Sequence, residues 1–383
     1  MSFIITLLAA VFVFSAVIAI HEFGHFAVAK LCGVQVNEFS IGMGPVLLKK
    51  TQNGTQYSLR ALPVGGFVAL EGEESPESQQ AEKGERPDEE PQMLAGADGS
   101  PDGGAGNEEA PAQPVGKPLN EATVWQRALI MAAGAFMNFL LGFVVMVILI
   151  AAQSEPITSR VIYAIDDGAL CGQTGLEAGD KVLAVNGRRC FVANDMLYEL
   201  MRTEDYSARF TVLRGGEKVE LPCVRFDTWQ DDSGETHMSL GFTVYGIRKT
   251  PANVVKEAWN SVLYYGRIIF TSLMDLLRGR ESINDLSGPV GIVTAIGQAA
   301  SYGWQDLLQL LVLITVNLGI FNLLPFPALD GGKVVFLLIE GVTGHAVPEK
   351  IQSGLTLAAF ALLFGLMLFA TYNDILRLIT GAV

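Results

Sequence analysis

The sequence predicts a polytopic α-helical membrane protein with about four transmembrane helices, a β-hairpin region and an inserted α/β domain. Half of its 383 residues are apolar and only 17% are charged, which is unlike a soluble globular chain. Several uncharged apolar segments also approach or exceed the length of about 20 residues that a membrane-spanning helix needs. These observations exclude a single soluble core.

Four apolar segments are predicted to span the membrane. With their flanks they occupy residues 1–33, 119–153, 304–342 and 353–376. Basic residues follow the first span at Lys30, Lys49, Lys50 and Arg60, whereas none precedes it. Because cytoplasmic flanks are enriched in lysine and arginine, we expect the C-terminal end of the first span to be cytoplasmic.

A further apolar stretch, within residues 248–290, is predicted to lie on the membrane surface. Four charged residues interrupt it, which suits an amphipathic interfacial helix: Lys256, Glu257, Arg267 and Asp275. The number of crossings supports the same interpretation. If this stretch crossed the membrane, the segment after the third span would end on the opposite side from the end of the first.

The polar regions differ from one another in composition. Residues 34–70 have strand character, with a hairpin-turn signal at Asn53-Gly54. Residues 71–118 are acidic, low in complexity and predicted to be disordered. Thirteen carboxylates in 71–110, against two basic residues, account for most of the net charge of −14. The acidity therefore says nothing about partners.

Residues 155–245 are predicted to form a soluble α/β domain. The run 175–187 contains a Gly-Asp turn before a buried strand and an Asn-Gly turn after it, and resembles the signature of PDZ domains. Such domains add an extended peptide to a sheet edge, although an assembly module that binds nothing is the alternative. Three cysteines in this region (Cys171, Cys190 and Cys223) permit one disulfide or buried free thiols.

The most informative motif ends the first apolar run, where residues 21–25 read His-Glu-Phe-Gly-His. On a helix, this spacing places His21 and His25 on one face, where they can share a Zn²⁺ ion. Glu22 can then act as a base toward a water molecule. Two satisfied interfacial histidines are the alternative. A zinc site of this kind needs a third protein ligand.

A candidate for that ligand lies late in the chain, where residues 322–332 read Asn-Leu-Leu-Pro-Phe-Pro-Ala-Leu-Asp-Gly-Gly. The two prolines interrupt helical hydrogen bonding, and the two glycines permit close approach. Asp330 could supply a carboxylate oxygen to complete a site of two histidines and one carboxylate. The alternative is a helix-capping aspartate just outside the membrane.

Together the two motifs resemble those of the site-2 protease family of intramembrane zinc metalloproteases, in particular its bacterial branch that controls sigma factors. Segments 39–45 and 62–68 look like the family's membrane-associated β-loop, and 287–292 looks like the motif before its third core span. One departure lies in the second span. It reads Ala-Gly-Ala-Phe-Met-Asn at 133–138, where the family usually has Ala-Gly-Pro before the asparagine.

The resemblance implies hydrolysis of peptide bonds within transmembrane segments, with Zn²⁺ on His21, His25 and Asp330. Asn322, Asn138 and the glycines Gly65 and Gly66 are the predicted substrate-binding residues, with interhelical polar contacts as the alternative for the asparagines. Expected partners are single-span membrane proteins, such as pre-trimmed anti-sigma factors or remnant signal peptides, and the lipid bilayer, but no nucleic acid. The expected location is the bacterial inner membrane, with the PDZ-like domain extracytoplasmic. A catalytically silent scaffold that binds partners through that domain is the rival function.

Overall fold

The computed structural model describes residues 3–73, 116–203, 205–231 and 234–380. Among these residues, four helices are long and apolar enough to span a membrane, as predicted: Ile4–Leu31, Val124–Ala152, Trp304–Leu323 and Glu349–Thr380. Most of the acidic insertion predicted to be disordered, residues 74–115, lies outside the described residues. The prediction of about four apolar membrane-spanning helices is therefore confirmed by length and composition.

The helices and strands follow one another in this order: α1 (Phe3–Leu31), β1 (Val36–Gln52), β2 (Thr55–Leu70), α2 (Val124–Ala152), β3 (Ile157–Ile165), α3 (Leu170–Gln173), β4 (Lys181–Val185), β5 (Arg188–Arg189), α4 (Ala193–Met201), β6 (Ser207–Arg214), β7 (Glu217–Arg225), β8 (Asp227–Gln230), β9 (Thr236–Ser239), β10 (Phe242–Ile247), α5 (Pro251–Leu277), α6 (Pro289–Tyr302), α7 (Trp304–Leu323), α8 (Asp330–Thr343) and α9 (Glu349–Thr380). Short 3₁₀ turns lie at Leu119–Glu121 and Ile283–Asp285.

The chain divides into two compact units. The first consists of Met1–Asn138, Leu286–Ser301 and Leu318–Val383, and the second of Phe139–Asp285 and Tyr302–Asn317. Helices α2 and α7 each contribute to both units. The first unit contains α1, the hairpin and α8, and the second contains the sheet of the soluble region and α5.

The hairpin of the first unit is formed by β1 and β2, which lie within the residues 34–70 that have strand character in the sequence. Its turn is at Asn53 and Gly54, whose φ angles of 51° and 70° suit the tight turn expected of an Asn-Gly pair. Residues 39–41 have partners on both sides, 66–68 on one and 57–59 on the other. The strand β2 therefore bends back, and its segment 66–70 forms one margin of the hairpin sheet.

The β-rich region of the second unit is built on a sheet with the strand order β10-β3-β4-β6-β7, to which β5 adds beside β4. The predicted turn at Asn186-Gly187 has positive φ angles of 50° and 77°. Helix α4 packs on β3 and β4. The core is formed by fully buried apolar side chains, among them Ile162, Leu176, Val182, Leu200 and Phe210.

The cysteines of this region are free thiols, as are all four cysteines of the protein. Cys171 and Cys190 lie in the core of the sheet, while Cys223 is exposed. Burial, with the nearby carboxylate of Asp195, raises the pKa of the Cys190 thiol to about 12. Of the two alternatives left open by the sequence, the structure has the free thiols.

Helix α5 carries the charged residues that argue against a membrane crossing. It begins at Pro251, where the side chain of Thr250 accepts a hydrogen bond from the backbone N–H of Asn253. Arg267 of this helix pairs with Asp195 of α4, whose side chain is fully buried. Since breaking a buried ion pair is costly, this pair holds α5 against α4 in the second unit.

The region 304–342, predicted as one transmembrane segment, contains two helices. Helix α7 ends at Leu323, and α8 begins at Asp330. Pro325 and Pro327 lie between them and cannot donate backbone hydrogen bonds, which is the physical reason for the break. The break places Asp330 at the first position of a new helix.

The segment 287–292, noted for its resemblance to a family motif, forms the start of α6. The backbone N–H of Gly291 donates to Oδ2 of Asp374, in α9, over 2.7 Å. A Cβ atom at Gly288 or Gly291 would lie 2.8 Å from an oxygen of that carboxylate. The two glycines therefore leave room for an aspartate that caps α6 from another helix.

Candidate metal centre

The two histidines of the first motif face one another on α1. Their Nε2 atoms are 3.3 Å apart, and the rings are nearly perpendicular, at 85°. Both residues are buried, with exposures of 8% for His21 and 9% for His25. The separation of four residues brings them to the same helix face, as the motif predicts.

Asp330 joins these histidines from the start of α8. Its Oδ2 atom lies 3.1 Å from Nε2 of His21 and 3.4 Å from Nε2 of His25. The two glycines that follow Asp330 allow the start of α8 to lie close to the loop before it. A Cβ at Gly331 would lie 2.2 Å from the carbonyl oxygen of Leu324, and one at Gly332 would lie 2.3 Å from that of Phe326. The first turn of α8 thus packs directly on the backbone of the preceding loop.

The three side chains fit a zinc ion. Oδ2 of Asp330 is buried without a hydrogen-bond donor in suitable geometry, although two ring nitrogens surround it. In a tetrahedral zinc site with bonds of about 2.0–2.1 Å, neighbouring ligand atoms are about 3.3 Å apart. The three observed separations are 3.1, 3.3 and 3.4 Å. Two imidazoles and one carboxylate are also a usual donor set of catalytic zinc.

Three further groups contact the histidine rings. The Nδ1 atom of His25 lies 2.7 Å from the carbonyl oxygen of Ile130. Nδ1 of His21 lies 3.2 Å from the Asn138 amide, and Nε2 of His21 lies 3.3 Å from the Asn322 amide. The two asparagines thus occupy opposite sides of one ring. Asn138 is fully buried, whereas Asn322 is half-buried.

A close approach of α1 and α2 accommodates the rings. A Cβ at Gly134 would lie 2.5 Å from Nε2 of His25 and 2.6 Å from Cε1 of His21. One at Gly24 would lie 2.4 Å from the carbonyl oxygen of Ala133. Sequence reasoning missed Ile130 and gave no role to Gly134. Of these two, only Gly134 could have been noticed in the sequence, because it belongs to the Ala-Gly-Ala-Phe-Met-Asn stretch at 133–138.

Glu22 and the predicted glycines are also brought together. A Cβ at Gly66 would lie 3.4 Å from Cγ of Glu22 and 2.9 Å from the carbonyl oxygen of Ser40. Gly65, with a φ of 92°, packs on the side chain of Met43. The margin of the hairpin sheet therefore lies against Glu22 at Gly66. All eight sequence-predicted site residues lie in the first unit.

Comparison with known proteins gives a consistent result. A family model described as peptidase family M50 matches residues 9–366. A protein of Clostridium perfringens is 32% identical over 371 residues, which are 96% of this chain and 97% of that protein. The zinc metalloprotease RasP of Geobacillus kaustophilus is 30% identical over 415 residues, 97% of each chain. The regulator of sigma-W protease RasP of Bacillus subtilis is 28% identical over 422 residues, 98% of this chain and 99% of that one.

Proposed function

Because this chain belongs to peptidase family M50, the site-2 protease family, we propose that it is a zinc metalloprotease that cleaves transmembrane segments of other membrane proteins. The observation that carries the proposal is the convergence of His21, His25 and Asp330 in a chain whose described residues include four helices long and apolar enough to span a membrane. Ionisable groups at such positions are costly and usually functional.

In the proposed mechanism, His21, His25 and Asp330 hold the zinc ion. When bound there, zinc would polarise a carbonyl group and would also lower the pKa of water, so that water gives up a proton readily near neutral pH. Glu22 takes a proton from the attacking water and delivers it to the nitrogen of the leaving amine as the C–N bond breaks. Asn322, beside Nε2 of His21, donates a hydrogen bond to the substrate backbone or to the developing oxyanion.

Substrate binding requires an extended segment, because a helical substrate hides its peptide bonds. We assign this role to Gly65 and to the margin of the hairpin sheet that begins at Gly66, since Gly66 lies against Glu22. Pairing of backbone groups along a sheet edge would hold the unwound segment. N-methylation of substrate amides next to the cleaved bond removes those donors, so cleavage that is unaffected by it would contradict this assignment.

The substrates are proposed to be single-span membrane proteins, including anti-sigma factors already trimmed outside the membrane and remnant signal peptides. A similar protein, RasP of Bacillus subtilis, is named a regulator of sigma-W. The soluble sheet region is proposed to act as a PDZ-like module that excludes untrimmed substrates by size. The same module binding partners without catalysis is the rival scaffold function.

Cleavage and its dependence on zinc test the proposal directly. We expect the full chain, reconstituted in liposomes with a model single-span substrate, to cleave that substrate. A chelator should abolish cleavage, and added Zn²⁺ should restore it, because the reaction requires the metal. With three protein ligands, the fourth coordination position is open to water or substrate. If wild-type protein neither binds zinc nor cleaves, the scaffold function is favoured instead.

The proposed topology places the active site toward the cytoplasm and the soluble sheet region outside it, in the inner membrane. A membrane-impermeant maleimide added to spheroplasts should therefore modify exposed Cys223. Cys171 and Cys190 should react slowly, because burial raises the pKa of both thiols. Cys32, after the first span, should react only after permeabilisation. Labelling of Cys223 only after permeabilisation would contradict the proposed orientation.

A further inference from the structure

Three residues of α2 face the metal centre at intervals of four. Ile130 contacts His25 through its carbonyl oxygen, Gly134 leaves room for both rings, and Asn138 contacts His21. Residues four apart on a helix lie on the same face, one turn after another. One face of α2 thus contacts both histidine rings.

The contact with Ile130 sets the tautomer of His25. A carbonyl oxygen can only accept a hydrogen bond, so Nδ1 of His25 must carry the proton that it donates over 2.7 Å. The lone pair of a neutral ring is then on Nε2, which faces Asp330. A histidine that binds a metal through Nε2 usually has such a partner at its other nitrogen.

The contact with Asn138 raises the same requirement at His21. If Nε2 of His21 binds zinc, its proton is on Nδ1, and the group at Nδ1 must accept a hydrogen bond. A carboxamide meets this requirement with its oxygen, which replaces the nitrogen after a 180° turn of the amide. Asn322 cannot supply this contact, because it lies beside Nε2.

Burial also decides between a substrate contact and a contact with the ring. The side chain of Asn138 has no exposed surface, and its amide contacts Nδ1 of His21. A substrate backbone therefore has no exposed atom of this side chain to bind. Resting on the proposed zinc site, we propose that Asn138 is a positioning residue whose amide oxygen fixes the tautomer and orientation of His21. This role replaces the substrate contact assigned from the sequence.

Two substitutions of Asn138 test whether this side chain acts as a hydrogen-bond acceptor or only fills space. Asn138→Leu keeps the number and branching of the side-chain heavy atoms but has no acceptor, whereas Asn138→Asp keeps an acceptor oxygen. We expect the leucine variant of the full chain to bind zinc about 10–100-fold more weakly, the usual cost of losing such a partner. The aspartate variant should bind zinc within a few-fold of wild type. Competition with a chromophoric chelator in detergent measures both affinities without a substrate.

A matched control is Phe136→Leu on the same helix. Its side chain is 65% exposed, so zinc affinity should not change. Unchanged zinc affinity in Asn138→Leu would overturn the proposal, as would an equal loss in both Asn138 variants. Wild-type protein that fails to bind zinc would instead overturn the proposed function, and this inference with it. Normal zinc binding with a raised KM in Asn138→Leu would return Asn138 to substrate binding.

Discussion

Replacing Glu22 with glutamine is expected to slow peptide-bond cleavage about 10²–10⁴-fold, the usual contribution of a general base. The amide has nearly the shape of the carboxylate, so it should keep the contact with Gly66. It cannot take a proton from the attacking water. Zinc content should stay at the wild-type level, since Glu22 is not among the proposed ligands. Single-turnover cleavage and zinc analysis of the same preparation measure the two quantities.

The control for this substitution is Glu121→Gln, an exposed residue of the 3₁₀ turn before α2. It makes the same chemical change away from the site and should cleave at the wild-type rate. Zinc-dependent cleavage that persists in Glu22→Gln would exclude Glu22 as the base. Loss of zinc together with activity would indicate instead that Glu22 supports the metal site itself.

Replacing Gly134 with alanine is expected to remove zinc binding and cleavage together. The added Cβ would lie 2.5 Å from Nε2 of His25 and 2.6 Å from Cε1 of His21, closer than any ordinary carbon contact, so both rings would have to move. The zinc affinity should fall by at least about 100-fold, the upper end for loss of an outer partner. Overpacking should also lower the free energy of unfolding by about 1–3 kcal/mol.

Helix α9 provides controls of the same chemical change. At Gly354 and Gly365 an added Cβ meets no atom within 4 Å. Alanine there should leave zinc binding unchanged and favour the helix, since alanine is preferred to glycine by about 1 kcal/mol. Zinc titration and thermal melting of the three variants test the prediction. Normal zinc affinity in Gly134→Ala would show that α1 and α2 can separate at this point.

The proposed ligands could be predicted from the sequence because each lies in a motif whose spacing has a physical meaning. His21 and His25 are one helical turn apart, and Asp330 stands between two prolines and two glycines that break one helix and start another. The four spans followed from length and hydropathy alone. These features are local in the chain, so a single sequence carries them.

The contribution of α2 could not be predicted in the same way. A backbone carbonyl such as that of Ile130 leaves no trace in the sequence, and an asparagine does not reveal which partner it faces. The bent pairing of the hairpin was also missed, because residues 39–41 have neighbours from two parts of β2. Both features depend on which segments meet in three dimensions, and hydrophobic periodicity does not encode that.

The capping of α6 by Asp374 has a consequence for the order of biogenesis. The N–H groups at the start of a helix need acceptors, and here the acceptor belongs to α9, which is synthesised later. While the ribosome makes residues 289–302, the start of this helix has no such partner. The segment 287–292 therefore gains this hydrogen bond only after α9 has been synthesised and has packed against it. Gly288 and Gly291 leave space for the carboxylate of Asp374, which is synthesised later than this segment.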